Sequence, residues 1–172
     1  GVVGLDVLRE QEPDVYEPLD LGVGRCRMVI AQSIDLPPQL HGAHLRVATK
    51  YPRLTDEFYL RRGVQADIIK LYGSIELAAV IGLADQIVDL VSTGETLRQN
   101  RLRVVDELLA VSSRLIVNRA ALKLRWERMQ QVIARLRHAV EALESEPPKS
   151  DRSRTPPRAS SAGSATIGED DA

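Results

Sequence analysis

Cysteine is nearly absent: Cys26 stands alone among 172 residues, which excludes an internal disulfide and any zinc site built on a cysteine cluster. Aromatic residues make up 3% of the chain, too few for the base-stacking platforms that hold single-stranded nucleic acid. Charge of neither sign prevails. With 23 Lys+Arg against 24 Asp+Glu the formal net charge is −1, so no whole-chain field draws nucleic acid or an anionic membrane. His41, His44 and His138 fall at no recognised metal-ligand spacing. No apolar run approaches the ~20 residues of a membrane-spanning helix, and no signal-peptide pattern is present. These absences set the expectation of a protein of the reducing cytoplasm, with neither nucleic acid nor membrane as partner.

What is present is apolar content of 44%, enough for a packed core, in a length that allows one domain or two small lobes. Val2-Val3 reads as part of an apolar strand, Leu5 to Glu10 as a short amphipathic helix, and Glu12-Pro13-Asp14 as a polar turn. Leu19 to Ala31 carries two glycines and then a strand, Cys26 to Ala31. No helix follows Gly22 and Gly24, so a bend or bulge fits them better than a phosphate loop. Pro37-Pro38 interrupts regular structure, and Gln39 to Ala43 make a short link. Leu45 to Thr49 is a strand, ended by Lys50-Tyr51-Pro52. Thr55 is expected to cap a helix through Arg62, with Gly63 just past its end. Ala66 to Leu71 is the next strand. Gly73-Ser74 turns into a helix from Ile75 to about Ile81, which Gly82 closes. Strands alternating with short helices argue for an α/β sheet, whose ligand sites lie where strand C-termini meet helix N-termini.

The most informative stretch runs from Asp85 to Leu97. An apolar strand, Ile87 to Val91, feeds the turn Ser92-Thr93-Gly94 and a helix entered at Glu95. Such a turn is a natural anion site: orphan amides, hydroxyls from Ser92, Thr93 and Thr96, and a glycine that admits a phosphate to the backbone. Asp89, just upstream, is placed to accept hydrogen bonds from sugar hydroxyls. The same residues also read as a capping box, Ser92 answered by Glu95, and Glu95 is an anion beside the proposed phosphate. Three turns, at Thr49-Lys50, Gly73-Ser74 and Ser92-Thr93-Gly94, are expected to converge on one rim.

Leu102 to Ala110 and Ser113 to Asn118 read as strands. Leu124 to Leu143 reads as a helix with Trp126, Met129, Ile133, Leu136, Val140 and Leu143 on one face. That stripe is expected to pack on the body of the protein, and the opposite face, with Arg128, Arg135 and Arg137, to be solvated. The segment 146–172, rich in Pro, Ser and Ala, is expected to be disordered.

In order along the chain, Gly1-Val2-Val3-Gly4-Leu5-Asp6-Val7-Leu8, Leu19-Asp20-Leu21-Gly22-Val23-Gly24-Arg25-Cys26-Arg27, Leu45-Arg46-Val47-Ala48-Thr49-Lys50-Tyr51-Pro52, Leu71-Tyr72-Gly73-Ser74-Ile75-Glu76, Gly82-Leu83-Ala84-Asp85 and Asp89 to Leu97 resemble the short form of ATP phosphoribosyltransferase. The resemblance covers the chain from Gly1 to about Leu143. It implies a two-lobed α/β fold of the periplasmic-binding-protein type II class with its first lobe incomplete. The lobes would divide as 1–43 (first lobe, partial), 44–101 (second lobe with the phosphoribosyl turn) and 102–145 (return to the first lobe and C-terminal helix), before the 146–172 tail.

The reaction it implies is transfer of 5-phosphoribosyl from phosphoribosyl pyrophosphate to N1 of ATP, the first step of histidine biosynthesis, with Mg2+ accompanying the pyrophosphate and no metal ligand from the protein. Ser92, Thr93, Gly94, Glu95 and Thr96 would cradle the 5′-phosphate and Asp89 would lie near the ribose hydroxyls. Glu76 would touch ribose or orient adenine, or else be a first-turn helix acid. Gly73 and Ser74 are further candidate contacts. Lys50 would meet pyrophosphate or be a surface lysine. No covalent nucleophile or general base is assigned. The implied partner is a regulatory subunit resembling histidyl-tRNA synthetase, in a hetero-oligomer. Because the family's opening strand and basic loop precede Gly1, a truncated chain that binds phosphoribosyl pyrophosphate weakly and does not catalyse is expected, a processed chain being the alternative. Two other readings stay open: a non-catalytic solute-binding protein of the same fold, and an interaction module built on the C-terminal helix.

Overall fold

The computed structural model describes residues 1–37 and 45–145. The expectations for Pro38, the Gln39–Ala43 link and the tail from 146 lie outside the described residues. The chain runs β1 (Val2–Gly4), α1 (Leu5–Gln11), β2 (Val15–Asp20), β3 (Cys26–Ser33), β4 (Leu45–Thr49), α2 (Pro52–Arg61) and β5 (Ala66–Lys70). It continues through α3 (Ile75–Val80), β6 (Gln86–Val91), α4 (Glu95–Gln99), β7 (Leu102–Val111), β8 (Ser113–Asn118), α5 (Arg119–Leu124) and α6 (Trp126–Ser145).

Two sheets result. A three-stranded antiparallel sheet has the order β1-β8-β2, and a five-stranded sheet the order β5-β4-β6-β3-β7. In the larger sheet β4 runs parallel to both β5 and β6, while β3 is antiparallel to β6 and β7. The division at 43/44 and 101/102 expected from sequence is therefore displaced. β3 and β7 pair with each other inside the larger sheet, so the chain crosses between sheets at 21–25 and again at 111–113. Strand pairing, which brings together segments far apart in sequence, decides this, and composition carries no trace of it.

Strand β3 lies inside the larger sheet, between β6 and β7. Met28, Val29, Ile30 and Ala31 are all buried, as the continuous apolar run of a strand covered on both faces requires. Its alternation sorts two layers. Val29 and Ala31 face a cluster with Ile87, Val91, Ile75 and Ala78 of α3 and Leu97 of α4. Met28 and Ile30 face the opposite cluster, with Val47, Val88, Tyr51, Tyr59 of α2 and Leu5 of α1.

The helices differ from expectation in two places. Helix α2 begins at Pro52, whose fixed φ and missing N–H suit a first helical position. Thr55 is not its cap: it is fully buried inside the helix, and its hydroxyl donates to the Tyr51 carbonyl at 2.7 Å. The expected C-terminal helix forms as α6, but an unexpected short helix precedes it: α5, capped by the Asn118 side chain, which accepts from the Ala120 and Ala121 amides at 2.9 and 3.1 Å. Arg125 breaks the helix, and α6 then packs against β2 with Ile133 buried. Strand β2 went unread in the sequence. Pro18 has no N–H to give the ladder, and the register with β8 shifts between Tyr16 and Leu19. Among the described residues no helix is long and apolar enough to cross a membrane.

Candidate functional site

Parallel register gathers three turns on one rim. Thr49 at the end of β4 stands opposite Lys70, the last residue of β5, and opposite Val88 of β6. The turns leading to α2, α3 and α4 consequently open at the same edge of the sheet, as the sequence predicted. Thr49 braces this edge from below: its hydroxyl donates to the Val88 carbonyl at 2.9 Å and accepts from the Tyr51 amide at 2.9 Å.

The turn after β6 carries the most complete site. Gly94 adopts φ +79°, a left-handed conformation that a side chain disfavours. The expected capping box does not form. No side chain caps α4; Glu95 pairs with Arg98 and accepts from Gln99 Nε2 at 3.1 Å, while the Glu95 amide reaches Thr93 Oγ1 at only 3.4 Å. With its carboxylate drawn along the helix by Arg98 and Gln99, Glu95 does not serve the turn amides as their cap. Helix α4 spans five residues, so its dipole is short, and the turn's own backbone and hydroxyl donors are the groups an anion there would meet. Val91 and Leu97 anchor the two sides of the turn in one buried cluster.

A cavity of about 180 Å3 lies over this turn, lined by Glu76, Asp89, Ser92, Thr93, Gly94 and Thr96 among others. The structure thus brings together the turn residues and Asp89 with Glu76, the further contact expected from sequence, which comes from the first turn of α3. Gly73, Ser74 and Lys50 stay on the exposed rim and do not line the cavity. Ser74 has φ +51° and caps nothing with its side chain. Asp89 accepts from the Leu90 amide at 2.8 Å. Burial pushes the Asp89 carboxyl above the usual carboxylate range, the neighbouring Glu76 charge adds to this, and the Leu90 bond and Lys50 oppose it. A carboxylate held at this cost beside a second carboxylate and a turn of donors suits sugar hydroxyls or a cation more than a bare anion.

A larger cavity of about 440 Å3 adjoins the first, sharing Val91 and Ser92, and opens between the two sheets beside Arg25, Cys26, Arg27 and Arg114. Arg114 pairs with Glu17 at 3.3 Å and Asp20 at 3.0 Å, yet its buried Nε has no hydrogen-bond partner among the described residues. Burial first, then the charge of Asp6, pushes the Cys26 thiol up. Sequence reasoning did not single out these residues. They come from separate strands and meet only where the sheets cross, and no local spacing announces them.

The two-sheet arrangement matches known folds. It superposes on the periplasmic aliphatic sulphonate binding protein SsuA from Escherichia coli with a TM-score of 0.53 at 16% identity, covering 81% of this chain and 53% of that one. At that identity the likeness shows the fold alone, and it defines the chain as an α/β protein of the periplasmic-binding-protein class. A much closer structural match, TM-score 0.74 at 32% identity over 83% of this chain and 70% of the other, is the ATP phosphoribosyl transferase (HisG:HisZ) complex from Thermotoga maritima.

The family model HisG, ATP phosphoribosyltransferase, matches residues 1–138, and the chain belongs to this family. ATP phosphoribosyltransferase 2 of Geobacter sulfurreducens is 53% identical over 137 residues, 77% of this chain. The ATP phosphoribosyltransferase of Anaeromyxobacter dehalogenans is 53% identical over 146 residues, 85% of this chain. The matches span 64% and 66% of the length of these two relatives.

Proposed function

We propose that this chain carries the phosphoribosyl-binding part of an ATP phosphoribosyltransferase catalytic subunit. The reaction is transfer of 5-phosphoribosyl from phosphoribosyl pyrophosphate to N1 of ATP, releasing pyrophosphate, in the first step of histidine biosynthesis. Family membership supports the reaction. The observation that carries the site is the meeting of Glu76 and Asp89 with the Ser92–Thr96 turn in one cavity.

In this reading the turn amides and the Ser92, Thr93 and Thr96 hydroxyls hold the 5′-phosphate, and Asp89 accepts from the ribose hydroxyls. N1 of adenine displaces pyrophosphate at the anomeric carbon: the N–C bond forms as the C–O bond breaks, and the electron pair leaves with pyrophosphate. Positive charge builds on the ribose, where the carboxylates of Asp89 and Glu76 stabilise it. Magnesium bound to the diphosphate would screen that leaving group, and the acidic pair fits a diphosphate carrying such a cation better than a bare one. The larger cavity, with the unpartnered Nε of Arg114, is the place for ATP. A regulatory subunit and a hetero-oligomer complete the proposal; the Thermotoga maritima structure is of a HisG:HisZ complex.

The test is titration of the 172-residue chain with phosphoribosyl pyrophosphate and magnesium, beside Asp89→Asn and Thr96→Ala. Saturable binding that both substitutions abolish is the expected result. Binding retained in both variants, or none by a demonstrably folded chain, overturns the assignment of this turn as a sufficient phosphoribosyl site.

A further inference from the structure

The two sheets are joined by more than their two covalent crossings. Helix α1 follows β1 of the smaller sheet, yet its carboxylates reach the β4–α2 turn of the larger one. Asp6, buried at 6% exposure, accepts from the Tyr51 hydroxyl at 2.9 Å. Gly4 leaves the room this needs, since a Cβ there would lie 2.1 Å from Asp6 Oδ1. One turn later Glu10 accepts from the backbone amides of Arg53 and Leu54, both at 3.0 Å. Arg53 returns a bond from Nε to the Glu10 carbonyl at 3.0 Å and pairs with Glu12 at 3.1 Å.

Helix α2 has no side-chain cap of its own and no acid in its first turn. Its orphan N-terminal amides are satisfied by a helix from the other sheet, so their pairing depends on how the sheets sit. The two crossings supply the features a pivot needs. The Leu5 amide donates to the Ser112 carbonyl at 3.0 Å, at one crossing, and Leu5 is buried beside Tyr51. At the other crossing Gly22 and Gly24 take φ values of +66° and +63°, which a hinge tolerates better than side-chain-bearing residues would. Rotation about this pivot would break the Asp6, Glu10 and Glu12 contacts together.

We propose that Asp6 and Glu10 of α1, gripping Tyr51 and the first turn of α2, form a latch that holds the two sheets closed over the cleft and releases when ligands exchange. Tyr51, Asp6 and Glu10 are positioning residues here and line neither of the two cavities described above. The latch does not depend on which ligand fills the cleft, and its test needs none, so its failure is separable from failure of the phosphoribosyl assignment.

The experiment is amide hydrogen exchange on the 172-residue chain carrying Tyr51→Phe, Asp6→Ala, both together, or Glu10→Gln. Each single substitution removes about one net hydrogen bond, so exchange in segments 5–12 and 50–55 should quicken about two- to tenfold. The double variant should be no faster than either of its singles, because both break the same bond. Amides of β3 and β6 should be unchanged, and solution scattering should show a larger radius of gyration. Quickening confined to one segment, additive effects in the double variant, acceleration shared by β3 and β6, or an unchanged radius would each overturn the latch.

Discussion

Replacing Asp89 by asparagine should stabilise the unliganded chain and, on the function proposed above, weaken its binding of a ribose. The carboxylate is half-buried, receives one backbone hydrogen bond, from Leu90 at 2.8 Å, and faces Glu76 across the cavity. Asparagine keeps the size and an oxygen for the Leu90 amide, and it discards the charge that burial penalises. The gain should be about 0.5–2 kcal/mol, the size of an ordinary stabilising substitution, with Lys50 pulling it toward the lower end because it already offsets part of the penalty. For a chain of this size each kcal/mol moves the melting temperature by about 2–4 °C.

The pH dependence follows from the direction of the shift. The folded Asp89 carboxyl sits above its ordinary value of 3.8, so the folded state binds the proton more tightly than the unfolded one. Wild-type stability is therefore reduced by ionisation of Asp89 as pH rises from 3.8 through the folded value. The advantage of Asp89→Asn should be full at pH 7, shrink as pH falls through that window, and vanish below it. Urea melts of both chains at pH 7 and at stepped lower pH measure this. A variant no more stable than wild type at pH 7, or an advantage that pH leaves unchanged, refutes the reasoning.

Two further predictions concern the same strand and turn. Gly94→Ala should cost about 1–2 kcal/mol, measured by thermal melting, because the left-handed φ of +79° is the obstacle; the added Cβ would meet Val91 Cγ1 at an ordinary 3.9 Å, so an unchanged melting temperature would refute a conformational cause. Asp85→Asn should destabilise by about 0.5–1 kcal/mol at pH 7, since the Arg46–Asp85 pair is partly exposed. The Arg46 guanidinium holds the Asp85 carboxyl below 3.8, so this contribution is complete above 3.8 and disappears as pH falls through the folded value, where urea melts of the two chains should converge.

Much of the larger sheet was legible because its strands and helices carry local signals. Gly63 and Gly82 both take positive φ at the ends of their helices, and Ile87–Val91 and Cys26–Ala31 read as apolar runs. The turn from Ser92 to Thr96 was legible for the same reason, as contiguous residues with one chemistry, and the cavity over it gathers them. What the sequence hid was pairing. Nothing near β3 says that it lies between β6 and β7, and so the boundary between lobes was misplaced. The cap of α2 was misassigned to Thr55 because the true acceptor, Glu10, lies on another helix far back in the chain. Glu95 looked like a capping partner until Arg98 and Gln99, one turn on, claimed its carboxylate.

Strand β6 offers an argument for the site that is independent of family likeness. It is bracketed by two aspartates of opposite electrostatic character. Asp85, at its entrance, is fastened by Arg46 through bonds of 2.9, 3.1 and 2.7 Å, and ionisation stabilises it. Asp89, near its exit, has a single backbone donor, a buried setting and a like-charged neighbour, and ionisation strains it. A fold built only for stability would satisfy both ends or make the second one apolar, as Ile87, Val88, Leu90 and Val91 of the same strand are. Leaving a poorly satisfied carboxylate at the C-terminal end, where the turns converge, makes sense when a ligand supplies the missing hydrogen bonds. The same logic makes the gain from Asp89→Asn the converse of the loss in ligand affinity: saturating phosphoribosyl pyrophosphate should stabilise the wild-type chain and leave the variant where it stands.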